Sequence, residues 1–353
     1  MPQPRQQIRF ARTSDGVQLA WEASGNGPLL VKASNWLTHL AFDWESPVWR
    51  HWLRFFTDHF RFVRYDERGC GMSDWNVSDL SIDRWVEDFE TIVEALNPPE
   101  PFPLLGISQG AAVCIGYAVR HPERVSKMIL YGGYARGFYV RGNPDTRREY
   151  AAILEAMRVG WGKENPAFRQ LFTSRFIPGA SAEQLAWFSE LARKSASPEM
   201  AAKILESRGY TNVADLLPQL RVPALVIHAR DDAVVSFNEG RLLASTIPGA
   251  QFVELPGRNH VLLEDEPAWP RFQSAVLDFL DVARETEVFA SLSKREREIL
   301  SLMTEGLSNG EIGERLTISE KTVRNHISSV YDKLGVWTRA QAMVFARDHG
   351  FRG

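Results

Sequence analysis

Three residue types that together activate an oxygen nucleophile occur along this chain. Gly106-Ile107-Ser108-Gln109-Gly110 sets a serine between two glycines, with Leu104-Leu105 before it and Ala111-Ala112 after. A serine hydroxyl attacks a carbonyl only when a base takes its proton, and the base needs a third group to hold its tautomer. Downstream, Ala229-Arg230-Asp231-Asp232 supplies two acids and Pro256-Gly257-Arg258-Asn259-His260 supplies an imidazole. Serine, then acid, then histidine is the chain order expected when the serine sits in a strand-to-helix turn. Such a set performs acyl transfer through an ester formed on Ser108.

The positioning elements can be read from the pattern. Residues 8–21 read as two short strands around the turn Ser14-Asp15-Gly16, and residues 29–33 and 60–65 as buried strands. Ser46-Pro47 opens a helix with Trp49, Trp52, Leu53 and Phe56 at helical spacing, and residues 81–96 form an amphipathic helix. A strand enters Gly106, a helix leaves Gly110 and runs to about Arg120, and residues 125–131 form another strand. This alternation predicts a mostly parallel sheet covered on both faces, an α/β architecture. Residues 136–217 break the alternation with helical segments at 150–159, 183–192 and 198–209, a helical insertion that reads as a cap over the C-terminal strand ends. Strands resume at 225–228 and 252–255, and 267–283 is a closing helix. Both glycines of the serine turn are needed because a Cβ at either would strike a neighbouring strand or helix. The following helix end favours a developing anion.

The last sixty residues change character. Ser293-Lys294-Arg295-Glu296 and Ser308-Asn309-Gly310-Glu311 are capping boxes. Ser319 caps a third helix with Val323, Ile327, Val330, Tyr331 and Leu334 on one face, Gly335 ends it, and residues 338–348 form a fourth. Two short helices joined by a tight turn, the second with a polar outer face, predict a helix-turn-helix. That face carries Lys321, Asn325, Ser328 and Ser329, flanked by Arg324, and Thr322 lies at the helix start. These types suit phosphates and base edges. From Ser291 onward, ten Lys and Arg stand against eight Asp and Glu, a net of +2 in a chain of −3.

Composition bounds the rest. The chain has 353 residues, 44% hydrophobic and 24% charged, as in water-soluble globular proteins. Cys70 and Cys114 read as buried free thiols. No apolar run approaches the roughly 20 residues of a membrane span, and the start Met1-Pro2-Gln3-Pro4-Arg5 lacks the apolar core of a signal peptide. The expectation is a cytoplasmic protein with no membrane partner, no cofactor and no metal. His228, at a strand end, is expected to be a packed core histidine.

Residues 1–283 resemble the α/β-hydrolase fold with a cap domain. Gly106 to Gly110 matches the family's nucleophile elbow, Asp66-Glu67-Arg68-Gly69-Cys70-Gly71-Met72-Ser73 its D-x-R-G-x-G-x-S turn, and Gly257-Arg258-Asn259-His260 with Glu266-Pro267 its G-x-x-H and E-x-P. Ala229-Arg230-Asp231-Asp232 resembles G-x-x-D, with Ala for Gly. The resemblance implies Ser108 as nucleophile, His260 as base, Asp232 rather than Asp231 as the orienting acid, and the backbone N–H of Gln109 as one oxyanion donor. Where the family has His-Gly this chain has Ala33-Ser34, which makes Asn35 the expected second donor and slow turnover the expected consequence. Trp36, Trp161 and Trp187 are candidates for a ligand pocket under the cap. Residues 292–340 resemble the LuxR-type DNA-binding domain, through Leu292-Ser293, Arg295 to Leu300, Gly306 to Asn309, Glu311-Ile312, Thr322-Val323-Arg324, His326 and Lys333-Leu334-Gly335-Val336. That implies double-stranded DNA as partner, with Lys321, Thr322, Arg324, Asn325 and Ser328 facing the groove. It also implies a homodimer with residues 341–345 as candidate surface; for His326, packing is at least as good a reading as DNA contact. The expected organisation is a sensor or catalytic domain at 1–283 with its cap at about 136–217, a linker at 284–290 and the DNA-binding domain at 291–353. The function expected is transcription regulation by a domain that binds, and slowly hydrolyses, a small-molecule signal. The alternative is an active ester or lactone hydrolase with a DNA-binding tail.

Overall fold

The computed structural model describes residues 6–282, 289, 291–348 and 351. The chain divides into two compact units, Met1–Val276 and Leu277–Gly353. The expected linker at 284–290 lies outside the described residues except for Phe289.

The first unit is built on one eight-stranded sheet. Its strands in chain order are β1 (Arg9–Arg12), β2 (Gln18–Ser24), β3 (Leu29–Ala33), β4 (Arg61–Tyr65), β5 (Phe102–Ile107), β6 (Val125–Tyr131), β7 (Ala224–Ala229) and β8 (Gln251–Leu255). Their spatial order is β1-β2-β4-β3-β5-β6-β7-β8. The first two pairings, β1 with β2 and β2 with β4, are antiparallel and every later one is parallel. The central strands are apolar at consecutive positions, as strands covered on both faces must be; β7 is buried at all six. Because β5, β6, β7 and β8 are parallel neighbours, the segments that leave them emerge along one edge of the sheet.

Helices α1 (Arg50–His59), α2 (Ile82–Leu96), α3 (Gly110–Arg120) and α8 (Phe237–Thr246) connect the strands, and α9 (Ala268–Phe279) follows the last of them. The expected start of α1 at Ser46 is a capping turn: the Ser46 hydroxyl accepts the Val48 and Trp49 N–H groups, and regular helix begins at Arg50. Helix α9 stops at Phe279 rather than continuing toward 283, and Asp281 takes a left-handed conformation with φ 53°. Helix α8 had no counterpart in the sequence reading. Its Ser236 cap was visible, but a ten-residue helix buried only at Glu239, Gly240 and Leu243 gives little apolar periodicity.

The insertion between β6 and β7 carries α4 (Pro144–Gly160), α5 (Ala167–Thr173), α6 (Ala182–Ser195) and α7 (Pro198–Gly209). Helix α4 begins six residues before the expected 150 because its first turns, Pro144-Asp145-Thr146-Arg147, are polar; Asn143 caps it through the Asp145 and Thr146 N–H groups. Helix α5 was also unforeseen, at seven residues too short for a clear period. The chain enters and leaves the insertion through a paired stem. Val213 N–H donates to Ala135 O at 2.9 Å, Gly137 N–H to Thr211 O at 2.7 Å and Tyr139 N–H to Gly209 O at 2.9 Å.

The second unit packs α10 (Lys294–Thr304), α11 (Asn309–Leu316), α12 (Glu320–Leu334) and α13 (Arg339–Asp348) around a core that includes Phe289, Ile299, Met303, Ile312, Val323 and Val330. Among the described residues, no helix is long and apolar enough to cross a membrane.

The turn between β5 and α3 makes a sharp demand on sequence. A Cβ on Gly106 would lie 2.7 Å from Ala111 Cα, 2.8 Å from Ala111 N and 2.9 Å from Gly110 O. Those are backbone atoms, which cannot swing aside. Gly106→Ala is therefore expected to destabilise the first unit by about 3 kcal/mol, read as a lowered urea midpoint at unchanged m-value.

Candidate functional site

Ser108 follows β5 directly and has φ 54°, a left-handed backbone that a serine adopts only under constraint. Its N–H donates to Tyr131 O at 2.9 Å, tying the turn to the end of β6. Small residues make room for it. A Cβ on Gly110 would lie 2.9 Å from Ser34 O, and one on Gly133 would lie 2.4 Å from Ala111 Cβ. Ala111 N–H turns back to Ser108 O and Ala112 N–H to Gln109 O. The Gln109 N–H, one residue ahead of α3, has no intrahelical acceptor, as at any helix start.

Asp232 lies beyond the end of β7 and His260 beyond the end of β8. His260 Nδ1 and Asp232 Oδ2 are 2.7 Å apart, and both side chains are 1% exposed. The other carboxylate oxygen of Asp232 accepts the N–H groups of Val234 and Val235 at 2.8 and 2.9 Å. Burial pushes this carboxyl upward, but the nearby His260, with its hydrogen bond, holds it below the ordinary value. The pair fixes His260 as the tautomer with its proton on Nδ1, leaving Nε2 to accept. That Nε2 is buried with no hydrogen-bond partner among the described residues. Asp231 is exposed and its N–H bonds to Gly257 O, while the imidazole is held by Asp232. His228 is fully buried, with Nε2 3.0 Å from Val235 O and 3.7 Å from Asp232. Burial lowers its pKa against the pull of Asp232, so it is neutral there.

The loop that carries His260 is strapped to the insertion. The His260 N–H donates to Phe176 O at 2.8 Å. Asn259 accepts the Gly179 N–H at 2.9 Å and donates to Glu266 at 2.8 Å, and Glu266 also accepts the Leu263 N–H at 2.7 Å. The acid of the E-x-P segment is thus a loop clamp.

Ser108 and Gln109 line a narrow cavity between the sheet edge and the insertion. Of the three tryptophans singled out in the sequence, Trp36 lines it. Trp161 stands behind, stacked on Trp36 at 5.6 Å between ring centroids and 1% exposed. Trp187 is not brought to this wall; it stacks on Phe42 at 4.7 Å. Asn35 is buried and its residue lines a separate interior cavity with Lys32, Thr38 and Asp43. The sequence reading missed Arg141, Arg175 and Arg208, which the insertion brings to the Ser108 cavity. Nothing in their local sequence marks them, since which face of the insertion meets the sheet is decided by tertiary packing. Among the described residues, no cluster of three or more His, Cys, Asp or Glu is arranged to hold a metal ion.

In the second unit, both capping boxes form, at Ser293 with Glu296 and Ser308 with Glu311. Lys321, Arg324, Asn325 and Ser328 are exposed on α12. Thr322 is half-buried, its hydroxyl 2.8 Å from that of the capping Ser319. Ser329 is turned to the interior partner Glu296 rather than outward. Glu296 is 4% exposed and gathers the Ser329 hydroxyl at 2.7 Å, the Lys333 ammonium at 2.6 Å and the Ser293 N–H at 2.7 Å, joining α10 to α12. His326 is half-buried. Gln341, at the head of the candidate dimer surface, caps α13 by accepting the Trp337 and Thr338 N–H groups; Val344 is 45% exposed.

Comparison with known proteins identifies two matching families. The family model of the alpha/beta hydrolase fold matches residues 42–267, and that of bacterial regulatory proteins of the luxR family matches residues 290–346. RutD of Agrobacterium fabrum is 26% identical over 255 residues, covering 69% of this chain and 91% of that protein. The transcriptional regulatory protein LiaR of Bacillus subtilis is 55% identical over 60 residues, 17% of this chain and 28% of its own length. Among solved structures, an esterase from Exiguobacterium antarcticum superposes with a TM-score of 0.67 at 22% identity, covering 78% of this chain and all of that one, a likeness of fold.

The Glu296 hub generates a test. Burial opposes its charge, but Lys333, Ser329 and Ser293 hold its pKa down to about 2 from an ordinary 4.5. A lowered carboxyl pKa adds stability that is complete above about 4.5 and fades as pH falls toward 2. Glu296→Gln is expected to cost about 1–3 kcal/mol at neutral pH, seen as faster amide exchange across α10 and α12. The gap from wild type should close over that acid range.

Proposed function

The chain belongs to the α/β-hydrolase fold family and joins to that fold a LuxR-type DNA-binding domain; on that premise we propose that it is a transcription regulator that takes up a small molecule at Ser108 and hydrolyses it slowly. One observation carries this reading: a buried Asp232–His260 pair and a strained Ser108, both beyond strand ends of one sheet, in a chain that also carries a luxR-family domain.

The chemistry follows from the geometry. His260 Nε2 accepts the Ser108 proton as Oγ attacks the carbonyl carbon of an ester or lactone. Asp232 stabilises the imidazolium that forms and keeps its ring in place. The oxyanion is received by the Gln109 N–H at the start of α3 and by an N–H of the Asn35-Trp36 loop. His260 then gives the proton to the leaving alkoxide, leaving an acyl ester on Ser108. Water, deprotonated by the same imidazole, releases the acid and restores the serine. Ala33-Ser34 in place of the family's His-Gly leaves the second donor loop less free to turn, which supports slow turnover. A persistent acyl-enzyme is then a signalling state in itself. We propose that ligand occupancy changes dimerisation, and with it operator affinity, through a homodimer. Lys321, Arg324, Asn325 and Ser328 face the groove, with Thr322 and the α12 start against a phosphate.

Two tests address the two halves. A fluorophosphonate probe is expected to add once to wild type and not to Ser108→Ala, by intact mass, and Asp232→Asn should slow labelling by about a thousand-fold. No adduct on wild type would count against an activated serine. For the second half, sites selected from random duplexes by the full chain serve as operators. Lys321→Ala should weaken binding to all sequences and reduce the slope of log affinity against log salt by about one. Arg324→Ala should relax sequence preference. Operator affinity and oligomeric state are then compared for labelled and unlabelled protein; identical values for both would sink the coupling.

A further inference from the structure

The cavity at Ser108 has a charge pattern that a neutral ester would not need. Arg141, Arg175 and Arg208 line it, and no Asp, Glu or Lys is among its described lining residues. The remaining wall is largely aromatic. Trp36, Phe172 and Phe176 form one contact chain, with ring centroids 5.4 and 4.9 Å apart, and Phe138 stacks on Tyr150 at 3.7 Å.

How this chain satisfies its other buried arginines shows what is unusual about Arg208. Arg64 uses all three guanidinium nitrogens, on Glu22, Asp43 and Leu40 O. Arg68 does the same with Asp88, Asp15 and Asp79 O. Arg169 reaches the carbonyls of Ser189, Trp161, Lys163 and Glu164 with its three. Those are structural arginines, closed on every side. Arg208 is 4% exposed, yet only Nη2 is engaged, by Glu67; Nε and Nη1 are buried with no hydrogen-bond partner among the described residues. Unsatisfied guanidinium donors are costly to bury. A carboxylate oxygen is a charge-assisted acceptor for either of these free nitrogens.

The two neighbouring arginines add positive field without closing the cavity. Arg175 pairs with Glu149 at 3.2 Å, but the Glu149 side chain is 53% exposed and screened by solvent. Arg141 donates to Arg136 O at 2.7 Å and lies over the Tyr134 ring, with no carboxylate partner among the described residues.

We infer that the molecule taken up at Ser108 carries a carboxylate beside an aromatic or apolar body, and that Arg208 receives that carboxylate. The inference rests on the reading of this cavity as a small-molecule site and adds the class of molecule. The hydrolysable group at Ser108 and the anionic group at Arg208 are then two ends of one ligand, an acid-bearing ester or lactone.

The test is binding, so that it stands apart from turnover. Full-length Ser108→Ala is titrated calorimetrically with phenylacetate, 4-phenylbutyrate and 6-phenylhexanoate, and with the primary amide of each. At least one carboxylate is expected to bind about ten-fold or more tightly than its amide, the discrimination that one charge-assisted hydrogen bond supplies. Arg208→Gln in the same background should abolish that preference. Because this substitution strands buried Glu67, the double variant Arg208→Gln/Glu67→Gln, folded by circular dichroism, gives the same reading without the stranded charge. Arg141→Gln should reduce the preference only in part. Equal or tighter binding of the amides overturns the inference, as does a preference that survives in the double variant or a carboxylate series that fails to bind at all. Carboxylate binding in a protein whose Ser108 ignores the fluorophosphonate would remove the hydrolytic reading and leave this one standing. Labelling of Ser108 with no carboxylate preference would do the reverse.

Discussion

The placement of Ser108 in the first unit depends on one strained backbone turn. Ser108 holds φ 54°, a conformation that costs an L-residue about 1–2 kcal/mol. The surroundings enforce it. Ser108 N–H is held by Tyr131 O, and Gly106, Gly110 and Gly133 let α3 sit closer to the sheet than any Cβ would permit. The strain lifts the hydroxyl off the strand and puts it at the start of α3. Relaxing the turn would move the serine away from the helix end and from the crevice where open parallel sheets take their ligands. The glycines therefore belong to the chemistry as much as the serine does.

The second constraint is how a buried charge is apportioned between two histidines. Asp232 has one carboxylate oxygen held by two backbone N–H groups and the other facing both His260, at 2.7 Å, and His228, at 3.7 Å. Coulomb attraction falls with distance, and burial disfavours charging the His228 ring. His228 already spends its Nε2 proton on Val235 O and is held neutral by burial. Asp232 is thereby left to orient His260, whose free Nε2 is the basic atom available to accept a proton. A core histidine beside the acid thus sharpens the role of the other one by declining to compete.

Much of this was legible in the sequence because the features are local. The elbow, the two capping boxes and the strands of the parallel sheet are each written in a few consecutive residues with fixed spacing. That an acid after β7 would lie near His260 followed from chain order plus the rule that loops at one end of parallel strands share an edge, while the choice of Asp232 over Asp231 came from the family resemblance. What escaped was set by tertiary packing. Helix α5 is too short to show a period, and α8 is too little buried. Ser329 read as an outer-face residue because it lies opposite the apolar stripe, yet a carboxylate from another helix claims it. Trp187 read as pocket-lining on aromatic character alone, and Phe42 takes it elsewhere. The cavity arginines were invisible because a cap helix does not announce which of its charged residues turns inward.

The pairing of Arg208 with Glu67 shows why the cap cannot be treated as inert packing. Glu67 belongs to the Asp66-Glu67-Arg68-Gly69 turn after β4, while Arg208 closes α7, so one buried ion pair spans sheet and insertion. Buried pairs seldom add net stability, because desolvating both ions offsets most of their attraction. Here the balance is worse than usual, since two of the arginine's donor nitrogens remain unsatisfied. Apolar residues of similar volume would close this contact at least as well. An arrangement that forgoes that stability is better explained by what the arginine offers to the cavity than by what it does for the fold. An acceptor arriving at Nε or Nη1 would satisfy a stranded donor without displacing Glu67. The same event would tighten the junction between insertion and sheet, because the guanidinium would then be held from both sides. On the proposed uptake of an acid, ligand charge and cap adherence would be one equilibrium, centred on the residue that joins insertion to sheet.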